Sequence, residues 1–176
     1  MEYGISLGSN QGERLAYLRQ ARDAMCAFPA TQMVIYSSVF ETDPVEVEEC
    51  YRDLSYLNAV VIIDSLLPPE EMGQCLRSIE VRFGRERGSD RNAPRPLDAD
   101  VIYAGKLQGE FGRLRLPHPR WAERRFVVEP LAQCRPGLIL PAQQFTVVEV
   151  LAQLPDIPGA VLFSTDWEMA NGKFST

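Results

Sequence analysis

Residues 68–84 read PPEEMGQCLRSIEVRFG, and the spacing inside this stretch decides the fold. Met72, Cys75, Leu76, Ile79 and Phe83 fall at i, i+3, i+4, i+7 and i+11, which is one apolar stripe along a helix. Pro68-Pro69 and the acids Glu70-Glu71 are helix-start signals, and Gly84 stands where a C-terminal cap belongs. On the N-terminal side, residues 56–63 (YLNAVVII) are apolar enough for a central strand. On the C-terminal side, residues 97–103 (LDADVIY) predict another. Further out, residues 3–7 read as a short buried strand, and Asn10 with Glu13 has the spacing of a helix N-cap. Leu15, Leu18, Ala21, Met25 and Phe28 then recur at helical spacing until Pro29, and residues 33–40 are β-branched and aromatic. Strand, helix, strand, strand, helix, strand is the α+β, ferredoxin-like βαββαβ order, a mostly antiparallel sheet backed by helices. Beyond Gly105 the pattern predicts a hairpin near residues 113–116, a short helix around Trp121 and another over residues 147–154. From Pro155 onward, proline, glycine and isolated aromatics predict an irregular tail.

At 176 residues the chain can bury a core without metal or disulfide staples, and one domain over residues 1–176 is expected. The longest apolar run, residues 59–63, is far too short to cross a bilayer. The N-terminus has neither the basic start nor the apolar stretch of a secretory signal, so a cytoplasmic location is expected. Cysteines at 26, 50, 75 and 134 lack the pairing of a zinc site and the density of a disulfide scaffold, and read as reduced thiols. A net charge of -6 argues against nucleic acid, yet residues 77–125 hold eleven arginines and one lysine against seven acids. Sixteen of the 18 basic residues are arginine, whose planar fork grips phosphate oxygens in pairs. A compact polyanion fits this strip as well as a plain solvated face does.

Asp98 and Asp100 are the sharpest local signal. Two residues apart on a strand, they face the same way with Cα atoms roughly 6 to 7 Å apart. Hard oxygen ligands of this kind suit magnesium; the alternative is pairing with the arginines of the preceding loop. That loop brings Arg82, Arg85, Arg87, Arg91 and Arg95 up to the pair, the combination that phosphoryl and pyrophosphoryl transfer requires. Residues 8–12 (GSNQG) match neither a P-loop nor a GxGxxG fingerprint, and no serine or cysteine lies in a GxSxG-like context. His118, the only histidine, lies between Pro117 and Pro119, and its spacing alone reads as a surface loop residue. Asn58 is polar within an apolar strand, where either a heterocyclic ligand or the fold itself would satisfy its amide.

Leu7-Gly8-Ser9-Asn10, Ser37-Ser38 leading to Thr42 and Pro44, Tyr56-Leu57-Asn58-Ala59, Ile79-Glu80, Gly84-Arg85, Pro94-Arg95, Leu97-Asp98-Ala99-Asp100 and Pro117-His118-Pro119-Arg120 with Arg124 and Phe126 occur in one order. Together, over about residues 3–137, they resemble the hydroxymethyl-dihydropterin pyrophosphokinases of folate synthesis. The resemblance implies a ferredoxin-like fold and transfer of pyrophosphate from ATP to 6-hydroxymethyl-7,8-dihydropterin. It implies two magnesium ions on Asp98 and Asp100, with Arg85 and Arg95 steadying the moving group. Glu80, Arg87, Arg113, His118 and Arg124 match ATP contacts of the family, and Thr42, Val45, Tyr56, Asn58 and Phe126 match its pterin pocket. The loop from Arg85 to Arg95 corresponds to the family's mobile lid. Partners would be these two small molecules, with no nucleic acid or membrane, and a monomer is expected.

The sequence departs from the family where Arg91-Asn92-Ala93-Pro94-Arg95 stands in place of the frequent Arg-Trp-Gly-Pro-Arg, so a tryptophan over the pterin is missing. Arg77 stands where glutamine is common and Asp43 where proline is frequent. Two other functions compete on these grounds: a paralogue that holds pterin or nucleotide without turnover, and a ferredoxin-like interaction domain whose arginine face meets an acidic protein.

Overall fold

The structure, a computed structural model, describes residues 1–44, 51, 53–84, 94–156 and 159–167. The core elements are β1 (Glu2–Ser9), α1 (Arg14–Met25), β2 (Thr31–Tyr36), β3 (Val39–Thr42), β4 (Tyr56–Ser65), α2 (Pro69–Arg82) and β5 (Asp98–Ala104). β1 lies between β5 and β4, while β2 and β3 share the other edge of β4, and every pairing is antiparallel. This is the expected α+β arrangement. Next along the chain come the hairpin β6 (Gly109–Phe111) and β7 (Leu114–Leu116), a 3₁₀ turn at Trp121–Glu123, α3 (Arg125–Cys134), α4 (Val147–Gln153) and β8 (Ala160–Ser164).

A two-residue period distributes the side chains of the sheet between two cores. Leu57, Ala59, Val61 and Ile63 of β4 pack with Leu18, Ala21 and Met25 of α1 and Met72, Leu76 and Ile79 of α2. Val60 and Ile62 turn the other way and meet Val127, Val128 and Leu131 of α3 and Val147 and Val150 of α4. Because helices cover both faces, β4 reads as a continuous apolar run and not as an alternating one. At the Tyr56 end the second face becomes polar. Register sets Gly8 between Asn58 and Asp98, and Ser6 opposite Asp100, so these small and polar residues form one floor.

The structure corrects three expectations and adds a helix. Residues 33–40 are not one strand: β2 and β3 separate at Ser37-Ser38, where the Ser37 Oγ accepts the Val60 N–H at 2.9 Å and displaces regular pairing. Asn10 does not cap α1; Glu13 holds that position without a side-chain bond, and the Asn10 amide accepts the N–H of Arg95 at 2.8 Å instead. A helix that the sequence reading does not include, α3, forms across Pro130. Burial of Val127, Val128, Leu131 and Cys134 outweighs the one lost backbone bond. The tail from Pro155 is not irregular throughout, since β8 pairs with β3 and extends the sheet. Trp167 anchors it, fully buried, with its indole N–H donating to the Ser37 carbonyl at 2.7 Å.

Candidate active site

The polar floor opens into a cavity of about 290 Å³. Asp98, Asp100, Arg95, His118 and Arg124 line it together with Thr42, Tyr56, Asn58 and Phe126, so nine of the residues singled out in the sequence meet in one place. Glu80 and Arg113 stand outside it. Arg113 is exposed in the turn between β6 and β7, whereas Glu80 is buried behind the sheet edge, its carboxylate accepting the Ala99 N–H at 3.0 Å. That bond holds the backbone between the two aspartates. Val45, Arg85, Arg87 and the rest of the loop from 85 to 93 lie outside the described residues.

Asp98 and Asp100 project from β5 opposite Gly8 and Ser6, which carry little or no side chain to crowd them. Arg95 places Nη1 3.7 Å from the Asp98 carboxylate. Its backbone is held at two points by Asn10, whose own N–H donates to the Arg95 carbonyl at 3.4 Å. His118 comes after a cis Leu116-Pro117 bond, and its N–H donates to the Ile102 carbonyl at 2.8 Å, tying the loop to β5. Its Nδ1 accepts the Arg120 N–H at 3.2 Å, which puts the proton of the neutral ring on Nε2. Desolvation, then the charges of Arg124 and Arg120, press its pKa from 6.5 down to about 4, so it is a neutral donor at pH 7.

Asn58 and Thr42, both buried, are joined by an Nδ2 to Oγ1 bond of 2.8 Å across the β3–β4 pair. A Cβ at Gly8 would lie 3.2 Å from the Asn58 Oδ1, so glycine leaves that amide its room. The Arg124 guanidinium lies over the Phe126 ring at 5.6 Å, linking the cationic part of the cavity to its aromatic part. One end is thus anionic and cationic at once, and the other offers an amide, a hydroxyl and two rings.

Several lining residues carry too little sequence signal to be singled out. Ser6 belongs to no motif of its own, and Trp121 directly succeeds the Pro117-His118-Pro119-Arg120 motif, whose Arg120 also lines the cavity, as does Asp43. Arg125, adjacent to Arg124, is placed by helix α3, which the sequence pattern does not predict. Leu154 and Pro155 come from a distant segment with no local signal at all.

The family model for 7,8-dihydro-6-hydroxymethylpterin-pyrophosphokinase (HPPK) matches residues 4–136. The chain belongs to the HPPK family. It is 40% identical over 129 residues to the 2-amino-4-hydroxy-6-hydroxymethyldihydropteridine pyrophosphokinase of Bacillus subtilis, a match over 73% of this chain and 75% of that one. With the protein of the same name from Pseudomonas aeruginosa it shares 34% over 161 residues, 89% and 96% of the two chains. Among solved structures, an HPPK-DHPS triple mutant of Plasmodium falciparum superposes with a TM-score of 0.66 at 12% identity, covering 86% of this chain, and so shows the fold. This chain spans 44% of that longer one. Leu154 and Pro155 lie beyond residues 4–136, although the match to the Pseudomonas aeruginosa protein, over 89% of this chain, is long enough to include them.

Proposed function

We infer that the chain transfers pyrophosphate from ATP to 6-hydroxymethyl-7,8-dihydropterin, giving AMP and the pterin diphosphate of folate synthesis. It is an ATP-dependent pyrophosphokinase. The observation that carries this reading is the single cavity in which paired carboxylates and arginines adjoin an amide and aromatic end. In the reaction the hydroxymethyl oxygen attacks the β-phosphorus of ATP, the bond from that phosphorus to the α,β-bridging oxygen breaks, and AMP leaves with the bond's electron pair. The hydroxyl proton is released.

Each residue takes a part set by its place. Asn58, held by Thr42, meets the hydrogen-bonding edge of the pterin, and Tyr56 and Phe126 supply apolar area to the flat ring. His118 offers Nε2–H and Arg124 a charged fork to phosphate oxygens. Arg95, fixed through Asn10, balances charge on the moving group. Asp98 and Asp100 fit magnesium, because both are hard oxygen donors on one face of β5 with small residues opposite. When bound there, magnesium neutralises phosphate charge and polarises the phosphorus centre. By the family resemblance, Asp98 would also lie nearest the attacking oxygen. The roles of Glu80, Arg113, Val45, Arg85 and Arg87 rest on the resemblance alone. A cytoplasmic, monomeric enzyme is part of the same proposal; no helix among the described residues is long and apolar enough to cross a membrane.

Asp98→Asn keeps the shape and removes the charge. It is expected to lower pterin-dependent AMP formation at least about a hundredfold, as loss of a charge-stabilising group does, with unfolding temperature little changed. Activity within about twofold of the unaltered chain would remove Asp98 from the chemistry.

A further inference from the structure

The cavity is bounded in part by Leu154 and Pro155, which lie between α4 and β8, and Leu154 packs against the same apolar cluster as Phe126. Both residues are some thirty positions from Phe126 in sequence, and Arg125 spans that gap in space. Its Nη1 donates to the Leu154 carbonyl at 3.3 Å and to the Pro155 carbonyl at 3.2 Å, and lies 3.2 Å from the Asp156 carboxylate. Its Nε donates to Glu129, one turn further along α3, at 3.0 Å, which fixes the guanidinium plane. The Arg125 side chain is 20% exposed, so these bonds are partly shielded, whereas Asp156 is 92% exposed and adds little. Phe126 and Leu154 pack against the same apolar cluster, and β8 returns to pair Ala160 with Thr42. The 154–155 wall is therefore attached at one end to the residue beside Phe126 and leads at the other to the partner of Thr42. Its own backbone gives it little support: the Leu154 N–H closes onto the Leu151 carbonyl at the end of α4, and the chain then leaves the helix in an extended conformation.

We propose that Arg125 is a positioning residue for pterin binding: by gripping the Leu154 and Pro155 carbonyls it sets the distance between this wall and the Phe126 side of the cavity. The inference rests on the assignment of that end of the cavity to the pterin. An arginine suits the task because its fork reaches both carbonyls and Glu129 together, which a lysine ammonium on a flexible stem does not. The effect belongs to pterin affinity and not to phosphate transfer, since the bonds of Arg125 run to the 154–156 segment and to Glu129 and not to the paired aspartates.

The test uses the purified full chain and monitors AMP release while pterin and ATP are varied in turn. Arg125→Ala is expected to raise the KM for 6-hydroxymethyl-7,8-dihydropterin about threefold to tenfold, the loss of one or two charge-assisted hydrogen bonds, with kcat and the KM for ATP within about twofold. Leu154→Ala raises the same KM. The double variant rises no further than the larger of the two, because Arg125 acts through the wall that Leu154 supplies. Arg125→Lys does not restore the KM, and it carries the test if the alanine variant fails to fold. An unchanged pterin KM, a parallel rise in the KM for ATP, or effects that multiply in the double variant would each overturn the proposal while leaving the pyrophosphokinase reading intact. Absence of pterin-dependent AMP from the unaltered chain would overturn that reading, and this inference with it.

Discussion

His118 joins the fold and the chemistry in one side chain. Folded, it titrates near 4; in the unfolded chain it returns to about the ordinary 6.5. Between those values the unfolded chain binds a proton that the folded chain does not, so stability rises with pH across this window and is lost as pH falls through it. His118→Gln, which keeps a donor but cannot titrate, is expected to flatten the dependence of unfolding temperature on pH between about 4 and 6.5. An unchanged slope would show that carboxylates, and not this ring, govern the acid side. His118 also illustrates what residue spacing conceals. As a lone histidine between prolines it reads as a surface loop, and only the Ile102 and Arg120 backbone contacts reveal a half-buried ring with a fixed tautomer. Asp98 and Asp100 are legible for the opposite reason, since a two-residue period on a strand places both carboxylates on one face before any tertiary contact is known.

At the scale of elements, apolar period is enough to find the sheet and its first two helices, and the misreadings arise where tertiary contacts prevail over local signals. Pro130 within α3, the break between β2 and β3 at Ser37-Ser38, and the short apolar segment Ala160–Ser164 that becomes β8 are such cases. β8 is short, and three of its five residues are exposed, so its place depends on the Trp167 anchor just beyond its end. Trp167 lies against the Arg22 guanidinium, 4.9 Å from its ring, and Tyr36 flanks the same cation at 5.0 Å. Arg22 is fully buried, bonds Asp23, and donates to the Trp167 carbonyl. Trp167→Ala removes a large buried ring and one side of that cation's surroundings, and is expected to cost about 3 to 5 kcal/mol of stability in urea unfolding. A loss below about 1 kcal/mol would mean that β8 is held by its backbone pairing with β3 and not by the indole.

Across the whole molecule, a chain of net charge -6 concentrates its arginines in residues 77–125, and the fold carries Arg95, Arg120 and Arg124 from that strip to the cavity as phosphate-facing charge, while Arg125 holds its 154–155 wall. In the same cavity lie Asn58 and Thr42, set by the register of β3 and β4. The strip is visible as composition, but its closure on the amide end is not, because Leu154 and Pro155 arrive through α4 from far along the chain. This juxtaposition of a polyanion end with a heterocycle end in one space is what an interaction face or a simple nucleotide binder does not need. The direct test is to incubate the chain with ATP and magnesium, with and without 6-hydroxymethyl-7,8-dihydropterin, and to quantify AMP and ADP. AMP that forms only with the pterin, mole for mole with pterin diphosphate and without ADP, is the predicted result; ATP bound but no pterin-dependent AMP would contradict the account.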